Sequence, residues 1–173
     1  MLKWKEFVKE KSHPIEELLG KRFKKRELLI RALTRNAVLN EETDPPELRA
    51  NGSQIGLNTI GDTVLDFVII DHFLDQAVES RMGCSPEKLT ELRKFYGNNP
   101  ALHKFAKKSV KLQEDIIWGP DEITRKVWDD PKTELLADCF EALLGAIYLD
   151  KGLDGVKLFI EKIRFFKNMD VIS

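Results

Sequence analysis

Two short acidic segments of the sequence contain the residue types best suited to chemistry. One holds Asn58 and Asp62, four residues apart, and the other holds Asp138 and Glu141, three residues apart. Such spacings place two side chains on the same face of a helix. Apolar residues flank both pairs, so each helix is expected to be buried, and a buried carboxylate is costly unless it is paired or binds a metal. Two such helices in contact would form a site for a divalent cation.

The donor atoms indicate which metal the site would bind, and one glycine indicates where the two helices would touch. All four side chains coordinate through oxygen, which favours Mg²⁺, Mn²⁺ or Ca²⁺ over zinc, and the three histidines form no ligand-spaced pair. Gly61 precedes Asp62, and glycine inside a helix costs about 1 kcal/mol relative to alanine. We therefore predict that Gly61 permits a close helix contact that brings Asp62 against the helix of Asp138 and Glu141.

The elements that position these residues are predicted to be helical throughout. Apolar periodicity typical of helices recurs along the chain and β signals are nearly absent, so the fold class is all-α and multi-helix. The predicted helices cover residues 2–10, 14–19, 24–35, 55–77, 87–97, 98–109, 133–149 and 153–167. His13-Pro14 is expected to separate the first two, and paired turn residues make 40–54 a long polar loop.

Composition indicates a globular chain with one main domain. It has 173 residues, of which 42% are hydrophobic and 33% charged. We divide it into an N-terminal helical extension at 1–13, a domain at 14–167 and a tail at 168–173. The two cysteines, Cys84 and Cys139, are far apart, which favours free thiols and a reducing, cytoplasmic compartment. A charged N-terminus and short apolar runs argue against a signal peptide or a membrane span.

Charge is distributed unevenly despite a net charge of −1. Residues 1–35 hold 11 Lys and Arg against 5 Asp and Glu, whereas residues 36–100 hold 5 against 11. This asymmetry suits an acidic metal cleft with basic flanks that could meet phosphate, although charge runs on amphipathic helices are often only solvated faces.

The same segments resemble the ribonuclease III family. LNTIGDTVLDF at 57–67 is similar to the family's signature, whose usual form is close to LEFLGDAVLDF, and ADCFEALLGAIYLD at 137–150 resembles its second acidic motif. The stretches at 15–41 and 87–108 resemble the family's opening helices and the helix pair between the acidic motifs. The resemblance covers roughly residues 14–165.

This resemblance implies an all-α endonuclease domain that cleaves double-stranded RNA as a homodimer. The family uses Mg²⁺, which Mn²⁺ can replace, to activate a water that attacks the phosphate. Carried over by position, the catalytic residues are Asp62, Asp138 and Glu141, and the metal ligands are these three with Asn58.

Three departures from the family pattern qualify that expectation. Asn58 replaces the usual glutamate and brings no charge, so metal affinity and rate should fall. Ile55-Gly56 replaces the signature's leading Glu-Arg. The sequence also leaves no room for the C-terminal double-stranded-RNA-binding domain of longer members. RNA contact is then expected from the dimer surface, from a separate RNA-binding partner, or from the basic residues Lys21, Arg22, Lys24, Lys25 and Arg26.

An alternative interpretation stays open at this point. The chain could be a catalytically weak or inactive relative that serves as a dimeric RNA- or ribonucleoprotein-binding module. Asn58 and the lost Glu-Arg favour this alternative, whereas the intact Asp62, Asp138 and Glu141 favour an active nuclease. Trp118 and Trp128 are expected to pack against the domain and not to stack with a partner.

Overall fold

The computed structural model describes residues 2–40, 52–81, 83–130 and 132–172, and within these ranges every regular element is helical. The α-helices are α1 (Leu2–Leu19), α2 (Arg26–Leu33), α3 (Leu57–Glu79), α4 (Pro86–Tyr96), α5 (Asn99–Phe105), α6 (Pro120–Arg125), α7 (Leu135–Lys162) and α8 (Phe165–Ile172). A π-helical turn at Ala106–Val110 extends α5, and short 3₁₀ segments lie at Asn36–Asn40, Leu112–Glu114 and Val127–Asp129. The predicted all-α class is confirmed.

Helix α7 is the centre of the fold. Its N-terminal half is apolar on nearly all sides, a pattern typical of a helix buried all round. It packs against α1, α2, α5 and α8, and most extensively against α3. Every residue from 139 to 147 is buried, Glu141 included. Residues on α7 are therefore held in place from several directions.

A glycine divides α7 near the predicted helix end. Gly152 has φ 72° and ψ −171°, which is not helical, so the helix axis bends there. The left-handed region of φ is costly for residues with a Cβ, which explains glycine at this position. Before the bend, α7 carries the second acidic motif, and after it residues such as Val156 and Phe159 enter the core.

The predicted break at His13-Pro14 is wrong. Helix α1 continues from Leu2 to Leu19 with Pro14 inside it. Proline in a helix interior removes one backbone hydrogen bond, at a cost of about 3 kcal/mol. Ile15 and Leu19 are 0% and 2% exposed, and their burial offsets that cost.

Two other predictions concern the limits of the chain's parts. The predicted boundary between 1–13 and 14–167 falls inside α1, and the predicted tail at 168–173 overlaps α8. The division into an extension, a domain and a tail stays a prediction. Most of the predicted loop at 40–54 lies outside the described residues. Among the helices that are described, none is long and apolar enough to cross a membrane.

Candidate metal and catalytic site

Two glycines let the backbones of α3 and α7 touch. A Cβ placed on Gly61 would lie 1.7 Å from the carbonyl oxygen of Glu141, and one on Gly145 would lie 2.1 Å from the carbonyl oxygen of Leu57. No residue larger than glycine fits such distances without a shift of the backbone. The close contact predicted at Gly61 is confirmed, and Gly145 is a second contact that the sequence reasoning did not single out.

This crossing brings the two acidic segments together. Because Leu57 meets Gly145 and Gly61 meets Glu141, the two helices run antiparallel. Glu141 lies in the interface and is only 6% exposed. Asp62 follows Gly61 at the exposed edge of α3, and Asp138 is half-buried one turn before Glu141.

The carboxylates lie close enough to affect one another's protonation. The pKa of Glu141 is raised to about 8, first by burial and then by the negative charges of Asp62, Asp138 and Asp66. Burial also raises the pKa of Asp62 and of Asp138. Asn58, half-buried one turn before Asp62, adds an amide oxygen and no charge. The crossing therefore concentrates negative charge that a cation would neutralise.

Asp66 and Arg93 extend the site along α3. Asp66 follows Asp62 by four residues and pairs with Arg93 of α4. The Arg93 guanidinium opposes the increase in the pKa of Asp62. The four-residue spacing from Asp62 could have identified Asp66 as a neighbour on the same helix face. No local pattern could have identified Arg93, which lies 27 residues after Asp66 in the sequence.

Arg35 lies close enough to Asp138 for its charge to act on that carboxylate. Its Nε donates to Glu122 at 3.1 Å, and both side chains are 13% exposed. Its guanidinium lies 5.9 Å from the ring centroid of Trp118 and opposes the increase in the pKa of Asp138. Trp118 is buried with its ring centroid 5.0 Å from that of Trp128, which confirms the predicted packing role of these tryptophans.

The oxygen donors of the four candidate ligands fit a divalent cation, although their side chains do not converge on a common point. Within the described ranges, no group of three or more His, Cys, Asp or Glu side chains converges as a metal site would. All four candidate ligands nevertheless offer oxygen, and their repulsion at Glu141 is what a bound cation would relieve. Binding would require side-chain movement, which the exposed Asp62 and half-buried Asp138 can make.

The predicted RNA-contact residues are exposed and lie in the turn between α1 and α2 and at the first residue of α2. They are Lys21, Arg22, Lys24, Lys25 and Arg26. The Asp150 carboxylate accepts the backbone N–H groups of Lys24 and Lys25 at 3.1 and 2.7 Å, which fixes this turn against α7. Asp150 follows Glu141 by nine residues, roughly 13 Å along the helix axis. An RNA-binding role for this turn stays a prediction.

Comparison with known sequences shows which protein family this chain resembles. Residues 56–152 match the sequence model of the ribonuclease III domain. Ribonuclease 3 of Geobacillus kaustophilus is 31% identical over 157 residues, covering 91% of this chain and 59% of that protein. Ribonuclease 3 of Chlorobium luteolum is 35% identical over 136 residues, covering 79% of this chain and 46% of that protein.

Solved structures give the same result. The nuclease domain of ribonuclease III from Campylobacter jejuni, described for structural flexibility in a region involved in dimer formation, aligns with a TM-score of 0.69 at 25% identity. That alignment covers 87% of this chain and 93% of the solved chain. The fold is thus that of a ribonuclease III nuclease domain, and the matched segment contains both glycine contacts and all four candidate ligands.

The chain belongs to the ribonuclease III family. It spans about half to three fifths of the length of the curated relatives it matches.

Proposed function

We propose that this chain is the nuclease domain of a divalent-metal-dependent endoribonuclease that cleaves double-stranded RNA. One observation carries the proposal. The glycine crossing of α3 and α7 sets the buried Glu141 beside Asp62 and Asp138, inside the segment that matches the ribonuclease III domain. A nuclease needs such a concentration of carboxylates, whereas a fold without catalysis gains nothing from the repulsion it creates.

The four candidate ligands would together hold the cation in the proposed reaction. Glu141, Asp62 and Asp138 would hold the cation, Mg²⁺ or Mn²⁺, with the Asn58 amide oxygen alongside. When bound, the cation lowers the pKa of a water and stabilises negative charge on the scissile phosphate. Glu141 is fixed by the helix crossing, and the exposed Asp62 faces the side from which a phosphate can approach.

Asn58 distinguishes this site from the family pattern. An amide oxygen coordinates Mg²⁺ without contributing charge, so the three carboxylates supply all of the negative charge among the proposed ligands. We expect weaker metal binding than a glutamate would give. An Asn58→Glu variant should bind Mn²⁺ more tightly, and unchanged affinity would place Asn58 outside the site.

A homodimer is proposed from an exposed apolar face of α3. Phe67, Leu74 and Val78 are 50%, 45% and 70% exposed, and their spacing of seven and four residues places them on one side of the helix. A second copy of this chain would cover that face through a two-fold interface. The basic turn at 21–26 is the proposed additional contact for RNA.

The proposed setting is the cytoplasm. Cys84 and Cys139 are free thiols, and burial raises the pKa of Cys139 to about 12, which keeps that thiol unreactive. Free thiols suit a reducing compartment.

A cleavage assay tests the proposal. Purified protein is incubated with long double-stranded RNA and Mg²⁺ or Mn²⁺, beside Glu141→Gln and a matched control, Asp154→Asn, which changes an exposed acid on the same helix. Cleavage by the wild type and the control, but not by Glu141→Gln, supports the proposal. Cleavage that persists in Glu141→Gln contradicts it, and RNA binding without cleavage by any variant supports the inactive binding module instead.

A further inference from the structure

His103 joins three elements at the start of the helix that carries Asp138 and Glu141. It lies on α5 and is 6% exposed. Its Nδ1 accepts the backbone N–H of Leu136 at 3.3 Å, and its ring also makes a hydrogen bond to the backbone of Trp128. The imidazole thereby connects α5 and the 3₁₀ segment Val127–Asp129 to the first turn of α7.

The hydrogen bond to Leu136 replaces a conventional helix cap. The first four N–H groups of a helix have no partner within the helix, and Glu134, at the N-cap position, makes no side-chain cap. The other three N–H groups of this turn have local partners: Leu135 bonds the Thr133 hydroxyl, and Ala137 and Asp138 bond the Glu134 carbonyl. Leu136 is 0% exposed, so without the imidazole its N–H would be buried and unpaired.

We propose that His103 is a positioning residue for the acidic site, whose imidazole caps α7 and fixes the turn that presents Asp138 beside Glu141. Leu136 precedes Asp138 by only two residues, so movement of the capped turn moves that carboxylate. The inference rests on the proposed function, because it gives the cap a consequence for metal binding. Among the described residues, His103 is the one buried histidine, and its sequence spacing to the other histidines does not suggest a metal ligand. A capping role accounts for its burial.

The protonation state of the ring agrees with this role. Nδ1 accepts a hydrogen bond only when it carries no proton, so the ring must be neutral with its proton on Nε2. Burial lowers the pKa of His103 and Lys107 lowers it further, while the Trp128 backbone and Glu134 act in the opposite direction. Burial thus favours the neutral form that the cap requires.

Two substitutions separate capping from simple packing. His103→Asn keeps an acceptor close to the position of Nδ1, whereas His103→Leu removes the acceptor at similar volume. His13→Leu is the control, because His13 is an exposed histidine on α1. Two quantities are measured in each protein: Mn²⁺ affinity by calorimetry, and hydrogen exchange of the Leu136 amide by NMR.

The expected pattern is specific to a positioning role. His103→Leu weakens Mn²⁺ binding about tenfold or more, as loss of a group supporting a metal ligand typically does, while His103→Asn stays within about threefold of wild type. Exchange of the Leu136 amide accelerates in His103→Leu and stays slow in His103→Asn. His13→Leu changes neither quantity.

Several results would overturn the inference. A folded His103→Leu protein with wild-type Mn²⁺ affinity would do so, as would an asparagine variant that is as impaired as the leucine variant. If His103→Leu does not fold, the result for His103→Asn decides. Slow exchange of the Leu136 amide together with near-wild-type Mn²⁺ affinity supports the inference, and fast exchange or weakened Mn²⁺ binding overturns it. A wild-type protein that binds no Mn²⁺ overturns the proposed function, and the exchange data then still decide whether His103 caps α7.

Discussion

Replacing Gly61 with alanine tests the helix crossing on which the site depends. The added Cβ would lie 1.7 Å from the Glu141 carbonyl oxygen, 2.5 Å from its carbonyl carbon and 3.0 Å from its Cα. Ordinary van der Waals contact begins at 3.4 Å, and all three neighbouring atoms belong to the backbone. No rotamer change can relieve the clash, so α3 and α7 must separate.

Two opposing effects set the size of the loss. Alanine is favoured over glycine in a helix interior by about 1 kcal/mol, which alone would stabilise the variant. Overpacking a close-packed interface typically costs about 1–3 kcal/mol, and a clash with backbone belongs at the upper end of that range. We therefore expect Gly61→Ala to lose about 2 kcal/mol of unfolding free energy, with about 4–8 °C lost in Tm.

Urea and thermal unfolding measure this loss, and Mn²⁺ titration follows the site. Gly83→Ala is the matched control, because nothing lies within 4 Å of a Cβ built there. Helix separation should also weaken Mn²⁺ binding in Gly61→Ala, since Asp62 moves away from Glu141. A Gly61→Ala protein as stable as wild type, or stabilised by its helix propensity, would refute the crossing as described.

Three further predictions address charge and association. In metal-free buffer, the free energy of unfolding should fall as pH rises from about 4.5 to about 8, because the folded chain retains a proton on Glu141 that the unfolded chain has lost. The Glu141→Gln variant carries no such charge, so above pH 8 it should melt at a higher temperature than wild type. Arg35→Leu should cost about 3 kcal/mol in urea unfolding, because Glu122 loses its cationic partner and keeps only the hydrogen bond from the Gly119 N–H. Lys88→Leu breaks an ion pair whose side chains are 60% and 71% exposed, and it should cost under about 1 kcal/mol. Phe67→Lys should convert a dimer to a monomer in light scattering, and Val171→Lys, at an 83% exposed site on α8, should not.

Local sequence patterns were sufficient to predict most of the helices and part of the site. Apolar periodicity depends on neighbours three and four residues apart, so it predicted α3 and most of α7. The cost of glycine in a helix pointed to Gly61, and the close contact there is observed. The break at Pro14 was predicted wrongly because burial of Ile15 and Leu19, a tertiary effect, outweighs the local preference of proline.

The surroundings of the site depend on long-range contacts that no local pattern contains. Arg35 and Glu122 are 87 residues apart, and His103 and Leu136 are 33 residues apart. Such pairs form only after the helices have packed, and their energies depend on burial that a single sequence does not reveal. The sequence therefore predicted the candidate ligands but not these long-range contacts around them.

A crystal structure of the protein with Mn²⁺ would show directly whether the two acidic helices form one metal site. We expect anomalous density for Mn²⁺ between α3 and α7, within coordination distance of the carboxylates of Asp62 and Glu141. Mn²⁺ bound elsewhere, with Glu141 contacting no ion in Mn²⁺-soaked crystals, would contradict it.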